Sequence, residues 1–126
     1  MSLHEDILQE LNKAIEVNDN DRVDELRERY LEVAPSSNET SDIRYRHGLS
    51  KLFRHQNVGA AMELFKEAAA NKSAPISPEA RISYALCLRT QRKFTQAIFE
   101  LKKLVPTGVV PSLHSAQTLD LSLIHI

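Results

Sequence analysis

The sequence predicts an all-α fold in which antiparallel helical hairpins, about six to seven helices in total, stack as an α-solenoid. Apolar residues recur at the three- and four-residue spacing of one helical face. Several breaks between successive helices are only a few residues long, which makes the flanking helices antiparallel. Glycine and proline seldom interrupt the helices, since the chain of 126 residues contains three glycines and five prolines. Because a lone hairpin cannot bury both of its apolar faces, we expect the hairpins to stack.

The first hairpin is predicted over residues 1–35. Its first helix covers about 2–17 and ends at the polar segment 18–20. Asp19 or Asn20 can then cap a second helix, which Pro35 terminates. The polar residues that follow, 36–40, are predicted to form a loop, with Ser41 or Asp42 capping the next helix.

Two further hairpins are predicted over residues 42–72 and 77–106. The first has helices at about 43–55 and 58–71. The second opens with Ser77 as N-cap and Pro78 at the first helical position, and its last helix runs from 94 to about 105. Another helix is predicted to start in the segment 112–120.

Both of these hairpins carry the same spacing in their second helix: a small residue, a large one four positions on, and another residue three positions later. The motifs are Ala61-x-x-x-Phe65-x-x-Ala68 and Phe94-x-x-Ala97-x-x-x-Leu101-x-x-Leu104. This pattern resembles the second helix of a tetratricopeptide repeat, in which the small residue allows close helix approach and the large one wedges into the next hairpin. Residues 1–35 then correspond to a degenerate first repeat with Val23 at the small position. Sel1-type repeats, which have longer and more variable periods, are the main alternative.

The resemblance implies a scaffold for protein–protein interaction that holds a partner peptide or helix in a concave groove. Arginines beside exposed apolar residues suit an acidic partner segment with a hydrophobic anchor. Chaperone C-terminal tails are disfavoured, because only Asn12 matches the carboxylate clamp that binds them. The positions that correspond to the groove are Asn12, Arg46, Ser50, Phe53, Arg54, Ile82, Leu86, Arg89 and Thr90.

Two other functions stay open at this point. Nucleic-acid binding could use four cations of the third predicted helix, interleaved with Tyr45 and Phe53. A pI of about 6.5 and the lack of a base-reading motif disfavour it. The four cations are Arg44, Arg46, Lys51 and Arg54. As a second alternative, the chain could be the regulatory repeat region of a larger enzyme or signalling protein.

No catalytic residues, metal site or cofactor are predicted from the sequence. The histidines lack metal-ligand spacing, and His47 and His55 are predicted to be exposed on a helix. Cys87 lies in an apolar stretch and is predicted to be a buried core thiol. The chain is therefore not expected to be an enzyme in this segment.

Charge is distributed unevenly along the chain. Residues 1–42 contain 12 acidic and 4 basic side chains, whereas residues 43–126 contain 5 acidic and 12 basic ones. We interpret both regions as solvated faces; the alternative is that this polarity orients a docking partner. The first residues show no secretory signal and no apolar run could cross a bilayer, so a cytoplasmic location is expected.

The last six residues, 121–126, read LSLIHI. This hexapeptide resembles the conceptual translation of a transposon-end sequencing adapter, CTG TCT CTT ATA CAC ATC. We therefore expect 121–126 to be non-native and the chain to be an N-terminal fragment of a longer repeat protein.

Overall fold

The computed structural model describes residues 2–104, which form six α-helices and, within that range, no strand. Each helix packs against the next along the chain, so three hairpins are stacked in sequence order. This confirms the predicted all-α fold of stacked hairpins. The predicted helix at 112–120 and the adapter-like residues 121–126 lie outside the described residues. The helices are α1 (Leu3–Glu16), α2 (Asn20–Val33), α3 (Asn38–Phe53), α4 (Val58–Ala70), α5 (Ser77–Thr90) and α6 (Phe94–Lys102).

The turns inside the three hairpins share one backbone feature. Each contains one residue, not a glycine, in the left-handed region, and the second helix begins two residues later. In the first two turns the intervening residue, Asp19 or Asn57, accepts a hydrogen bond from the backbone N–H three residues on. Three such turns in one chain indicate one repeated structural unit. The left-handed residues are Asn18 (φ 57°), Gln56 (φ 50°) and Arg92 (φ 62°).

Counting from these left-handed residues aligns the second helices of the three hairpins. The fifth and twelfth positions are buried in every hairpin. The ninth position differs: Phe65 is fully buried in the second hairpin and Leu101 packs against the core of the third, but Arg27 occupies it in the first. The first hairpin therefore has a cation where the other two have an apolar wedge. The buried equivalents are Val23, Ala61 and Ala97, and Tyr30, Ala68 and Leu104.

The junction between the second and third hairpins is apolar. Phe65 of α4 and Cys87 of α5 belong to one buried cluster, and Met62 packs against it. Burial raises the pKa of the Cys87 thiol to about 11, which keeps it protonated at neutral pH. The prediction that Cys87 is a core thiol is confirmed.

Two predicted helix starts were wrong. Helix α3 begins at Asn38, because the Ser37 hydroxyl accepts the N–H of Thr40 at 3.1 Å while the Thr40 hydroxyl donates to the Pro35 carbonyl at 2.7 Å. Residues 38–40, which were predicted to belong to a loop, and the caps proposed at 41 and 42 thus lie in its first turns. Ser77 is inside α5 and does not cap it, since its hydroxyl donates to the Ala69 carbonyl at 2.7 Å.

Gly48 of α3 marks the closest approach within the second hairpin. A Cβ atom there would lie 2.7 Å from Cε1 and 2.9 Å from Cδ1 of the Phe65 ring, which is fully buried and cannot swing aside. We expect Gly48→Ala to lower the free energy of unfolding, because overpacking costs about 1–3 kcal/mol and outweighs a gain in helix propensity of about 1 kcal/mol.

Urea unfolding followed by circular dichroism measures this effect, and Gly59→Ala in α4 is the matched control. The nearest atom to a Cβ at Gly59 is Asn57 Oδ1 at 3.9 Å, so stability should be unchanged or slightly raised there. Equal effects of the two substitutions would contradict the close approach of Gly48 to Phe65.

Candidate functional site

A groove of about 320 Å³ lies between α2 and α3, at the junction of the first and second hairpins. It occurs where the repeat pattern has Arg27 in place of the apolar wedge. In the next hairpin the positions of Asp24 and Arg27 are taken by Met62 and Phe65, which both join the apolar packing. The groove is lined by Asn20, Val23, Asp24 and Arg27 of α2, by Arg46, Leu49, Ser50 and Phe53 of α3, and by Arg54, which directly follows α3.

Asp24 is the centre of a hydrogen-bonded cluster at one side of the groove. Its carboxylate accepts the Ser50 hydroxyl at 2.6 Å, lies 3.0 Å from His55 Nε2 and pairs with the Arg54 guanidinium. Arg54 also pairs with Asp21 at 3.1 Å. Burial by itself would raise the pKa of Asp24, but the hydrogen bonds from Ser50 and His55 and the charge of Arg54 together hold it below its ordinary value.

A second cluster lies on the same helix pair, around Glu28. Glu28 Oε1 is 3.1 Å from Lys51 Nζ and 3.4 Å from His47 Nε2, and the Lys51 hydrogen bond lowers the pKa of Glu28. His47 is only 3% exposed, so the prediction that it is an exposed histidine was wrong. Burial, and then the charge of Lys51, lower the pKa of His47. Its Nδ1 atom is buried without a hydrogen-bond partner in the described part of the chain.

The uneven distribution of charge along the sequence produces ion pairs at this junction. Asp21 and Asp24 of α2 pair with Arg54, which directly follows α3, and Glu28 of α2 pairs with Lys51 of α3. The interpretation of both regions as solvated faces is therefore corrected for these residues, since their opposite charges join the first hairpin to the second. Two further arginines of α3 pair within the second hairpin, Arg44 with Glu67 at 3.2 Å and Arg46 with Asp42 at 2.8 Å.

The structure brings together four of the nine residues that the sequence assigned to a binding groove, three from α3 and one from the residue that follows it. They meet residues of α2, whereas Asn12 is exposed on α1 and does not line the groove. The four residues of α5 lie apart from it as well. Ile82, Leu86 and Arg89 are partly buried, and Thr90 is exposed and donates its hydroxyl to the Leu86 carbonyl at 3.0 Å. The residues in the groove are Arg46, Ser50, Phe53 and Arg54.

Sequence reasoning missed the α2 side of the groove, namely Asn20, Asp24 and Arg27. One sequence feature could have located it. Arg27 follows Val23 at the spacing by which Phe65 follows Ala61, so a cation stands in the slot of the large apolar residue. A wedge that is missing from one repeat predicts a gap at the following junction.

The side chains around Asp24 do not form a hydrolytic triad, although serine, histidine and aspartate meet there. Both Ser50 and His55 bond directly to the Asp24 carboxylate, so no imidazole lies between them to take the serine proton. Within residues 2–104, no three His, Cys, Asp or Glu side chains are grouped so as to hold a metal ion. The groove presents arginine side chains beside apolar ones, and Phe53 is 71% exposed.

Asp24 and the buried His47 both make the stability of this junction fall as the pH is lowered. The pKa of His47 is lowered in the fold, so its contribution to stability is present above about pH 6.5 and is lost as the pH falls through the folded value. Asp24, with a lowered pKa as well, contributes above about pH 3.9 and loses this contribution as the pH falls further. We therefore expect stability to decrease stepwise on acidification.

Urea unfolding at pH 7.5, 5.5 and 3.5 measures this dependence. His47→Gln should flatten the change between pH 7.5 and 5.5 and leave the loss at lower pH. A wild-type stability that is constant between pH 7.5 and 5.5 would contradict the neutral, buried state of His47.

Comparison of the chain with protein-family models, with curated proteins and with solved structures finds no match. Among the helices of residues 2–104, none combines the length and apolar character needed to cross a membrane.

Proposed function

We propose that the chain is a cytoplasmic protein-interaction scaffold, built from tetratricopeptide-like repeats, that binds a partner peptide or helix in the groove between α2 and α3. No catalysis is proposed for this segment. The observation that carries the proposal is Phe53, an aromatic side chain that is 71% exposed at the edge of the groove. An exposed aromatic ring beside a gap in the packing is typical of an interaction site.

The groove has the form expected for anchoring side chains of a partner. Leu49 and Val23 give it apolar walls, and its volume of about 320 Å³ is at the lower end of the range for small-molecule pockets. Helices flank it on both sides, and the ion pairs of Asp24 and Arg54 fix those helices relative to each other. A partner can therefore insert an apolar side chain without reorganising the scaffold.

The ion pairs of the fold support a protein partner over nucleic acid. Each of the four cations that it would use has a carboxylate partner within the fold, so binding phosphates would require the loss of these ion pairs. The pairs are Arg44 with Glu67, Arg46 with Asp42, Lys51 with Glu28, and Arg54 with Asp21 and Asp24.

Selection from a phage library of random 12-residue peptides tests the proposal. The wild-type chain should enrich peptides with a recurring aromatic or aliphatic anchor, and Phe53→Ser should abolish this enrichment. Phe99→Ser is the matched control, because Phe99 of α6 is also an exposed aromatic residue, at 61%, but lies outside the groove. Failure to enrich any peptide family, or equal enrichment with Phe53→Ser, would contradict the proposal.

A further inference from the structure

We propose that the groove recognises a carboxylate of its partner, from an aspartate or glutamate side chain next to the apolar anchor, and that the Arg27 guanidinium binds it. This inference rests on the proposed function and identifies the chemistry of the ligand. Arg27 was not among the residues that the sequence assigned to the groove. We infer its role from the ion pairs of the junction, in which the other cations already have carboxylate partners.

The other cations near the groove have carboxylate partners inside the fold. Arg54 pairs with Asp21 and Asp24, and Arg46 pairs with Asp42 across one helical turn at 2.8 Å. Arg27 makes no hydrogen bond or ion pair with any residue of the described range 2–104. The side chains lining the groove include three arginines but a single carboxylate, that of Asp24. Arg27 is therefore the arginine of the lining that no carboxylate of the described residues pairs with.

The environment of Arg27 favours an incoming anion. The side chain is partly buried, and this burial lowers the pKa of its guanidinium; the nearby charges of Arg46 and Arg54 lower it further, against the opposing effect of Asp24 and Asp42. A desolvated cation close to like charges gains from a carboxylate that accepts two of its N–H donors at once. Such a contact would also lie in the shelter of the groove, where screening by salt is weak.

The apolar neighbours of Arg27 decide which anion the groove takes. Val23, Leu49 and Phe53 line the same groove, so a ligand that pairs with Arg27 must also cover apolar surface. A peptide with an acidic side chain adjacent to an aromatic or aliphatic one satisfies both requirements. The inferred partner is therefore an acidic, amphipathic segment of another protein.

The same phage library tests this inference when it is applied in parallel to Arg27→Gln and to Arg29→Gln. Arg29 is the matched control, since it is exposed on α2, makes no ion pair with the described residues and does not line the groove. Peptides selected by the wild type and by Arg29→Gln should be enriched in Asp and Glu next to the anchor. Peptides selected by Arg27→Gln should keep the anchor and lose the acidic enrichment.

A synthetic pair of the best peptide, with its acidic residue as Glu or as Gln, then measures the coupling by fluorescence anisotropy. For the wild-type chain the Gln peptide should bind roughly tenfold more weakly, because a charge-assisted pair is lost. For Arg27→Gln the two peptides should bind about equally. Two results would overturn this inference and leave the proposed function standing. One is the selection of anchored peptides without acidic enrichment; the other is a difference in affinity between the Glu and Gln peptides that Arg27→Gln does not reduce. No enrichment of any peptide would overturn both.

Discussion

Replacing Phe65 by alanine is expected to lower the free energy of unfolding by about 3–5 kcal/mol, the range measured for large-to-small changes at buried aromatic positions. Phe65 has no exposed surface, lies against the backbone of Gly48 and packs at 5.7 Å between ring centroids with Tyr45. Its cluster also includes Cys87, so the loss affects the second hairpin and its junction with the third. A domain with a typical stability of about 5–15 kcal/mol would lose a large part of it.

Chemical denaturation monitored by circular dichroism measures this change, and Phe99→Ala provides the matched control. Phe99 is 61% exposed and contacts Lys103 through its ring face at 4.6 Å, so its replacement should cost less than about 1 kcal/mol. A small effect at Phe65, comparable to that at Phe99, would show that Phe65 is not the wedge of the second repeat.

Replacing Asp24 by alanine is the second large effect, expected at about 2–3 kcal/mol. The Asp24 side chain is only 15% exposed and receives bonds from Ser50, His55 and Arg54. Its removal leaves the Ser50 hydroxyl without its acceptor, and Arg54 keeps only the exposed Asp21 as a carboxylate partner among the described residues. The substitution also removes the main polar link between the first two hairpins. The acid-induced loss of stability attributed to Asp24 should decrease in this variant.

The same denaturation experiment with Glu32→Ala controls for the loss of a negative charge on α2. Glu32 is exposed and makes no ion pair with the residues that the structure describes, so little change is expected. If Asp24→Ala were as mild as Glu32→Ala, the polar cluster would not be what joins the two hairpins.

Helix order and the repeated hairpins could be predicted from sequence because they depend on local pattern. The spacing of Ala61 and Phe65 reports one helical face, and a short turn permits only an antiparallel neighbour. The start of α3 was missed because Ser37 and Ser41 are equally good caps in isolation. The choice between them depends on the Thr40 hydroxyl reaching the Pro35 carbonyl, a contact that exists only once the loop has folded.

The candidate site was only half predictable for a related reason. Positions such as Ser50 and Arg54 could be assigned from their place on the third helix, but their partners lie in the preceding hairpin, 26 and 30 residues earlier at Asp24. Pairing at such separations depends on how two hairpins stack, which periodicity within one helix does not report. The contact of His47 with Glu28 could not be predicted for the same reason, since Glu28 also belongs to the preceding hairpin.

The central claim is that the groove exists because Arg27 replaces the apolar wedge that the other repeats carry. Selection of 12-residue peptides by Arg27→Phe tests it most directly, with circular dichroism to verify that the helices remain. The aromatic ring should fill the groove as Phe65 fills the equivalent position, so we predict a folded protein that enriches no anchored peptide. If Arg27→Phe is folded and still enriches the peptides that the wild type enriches, the account is contradicted.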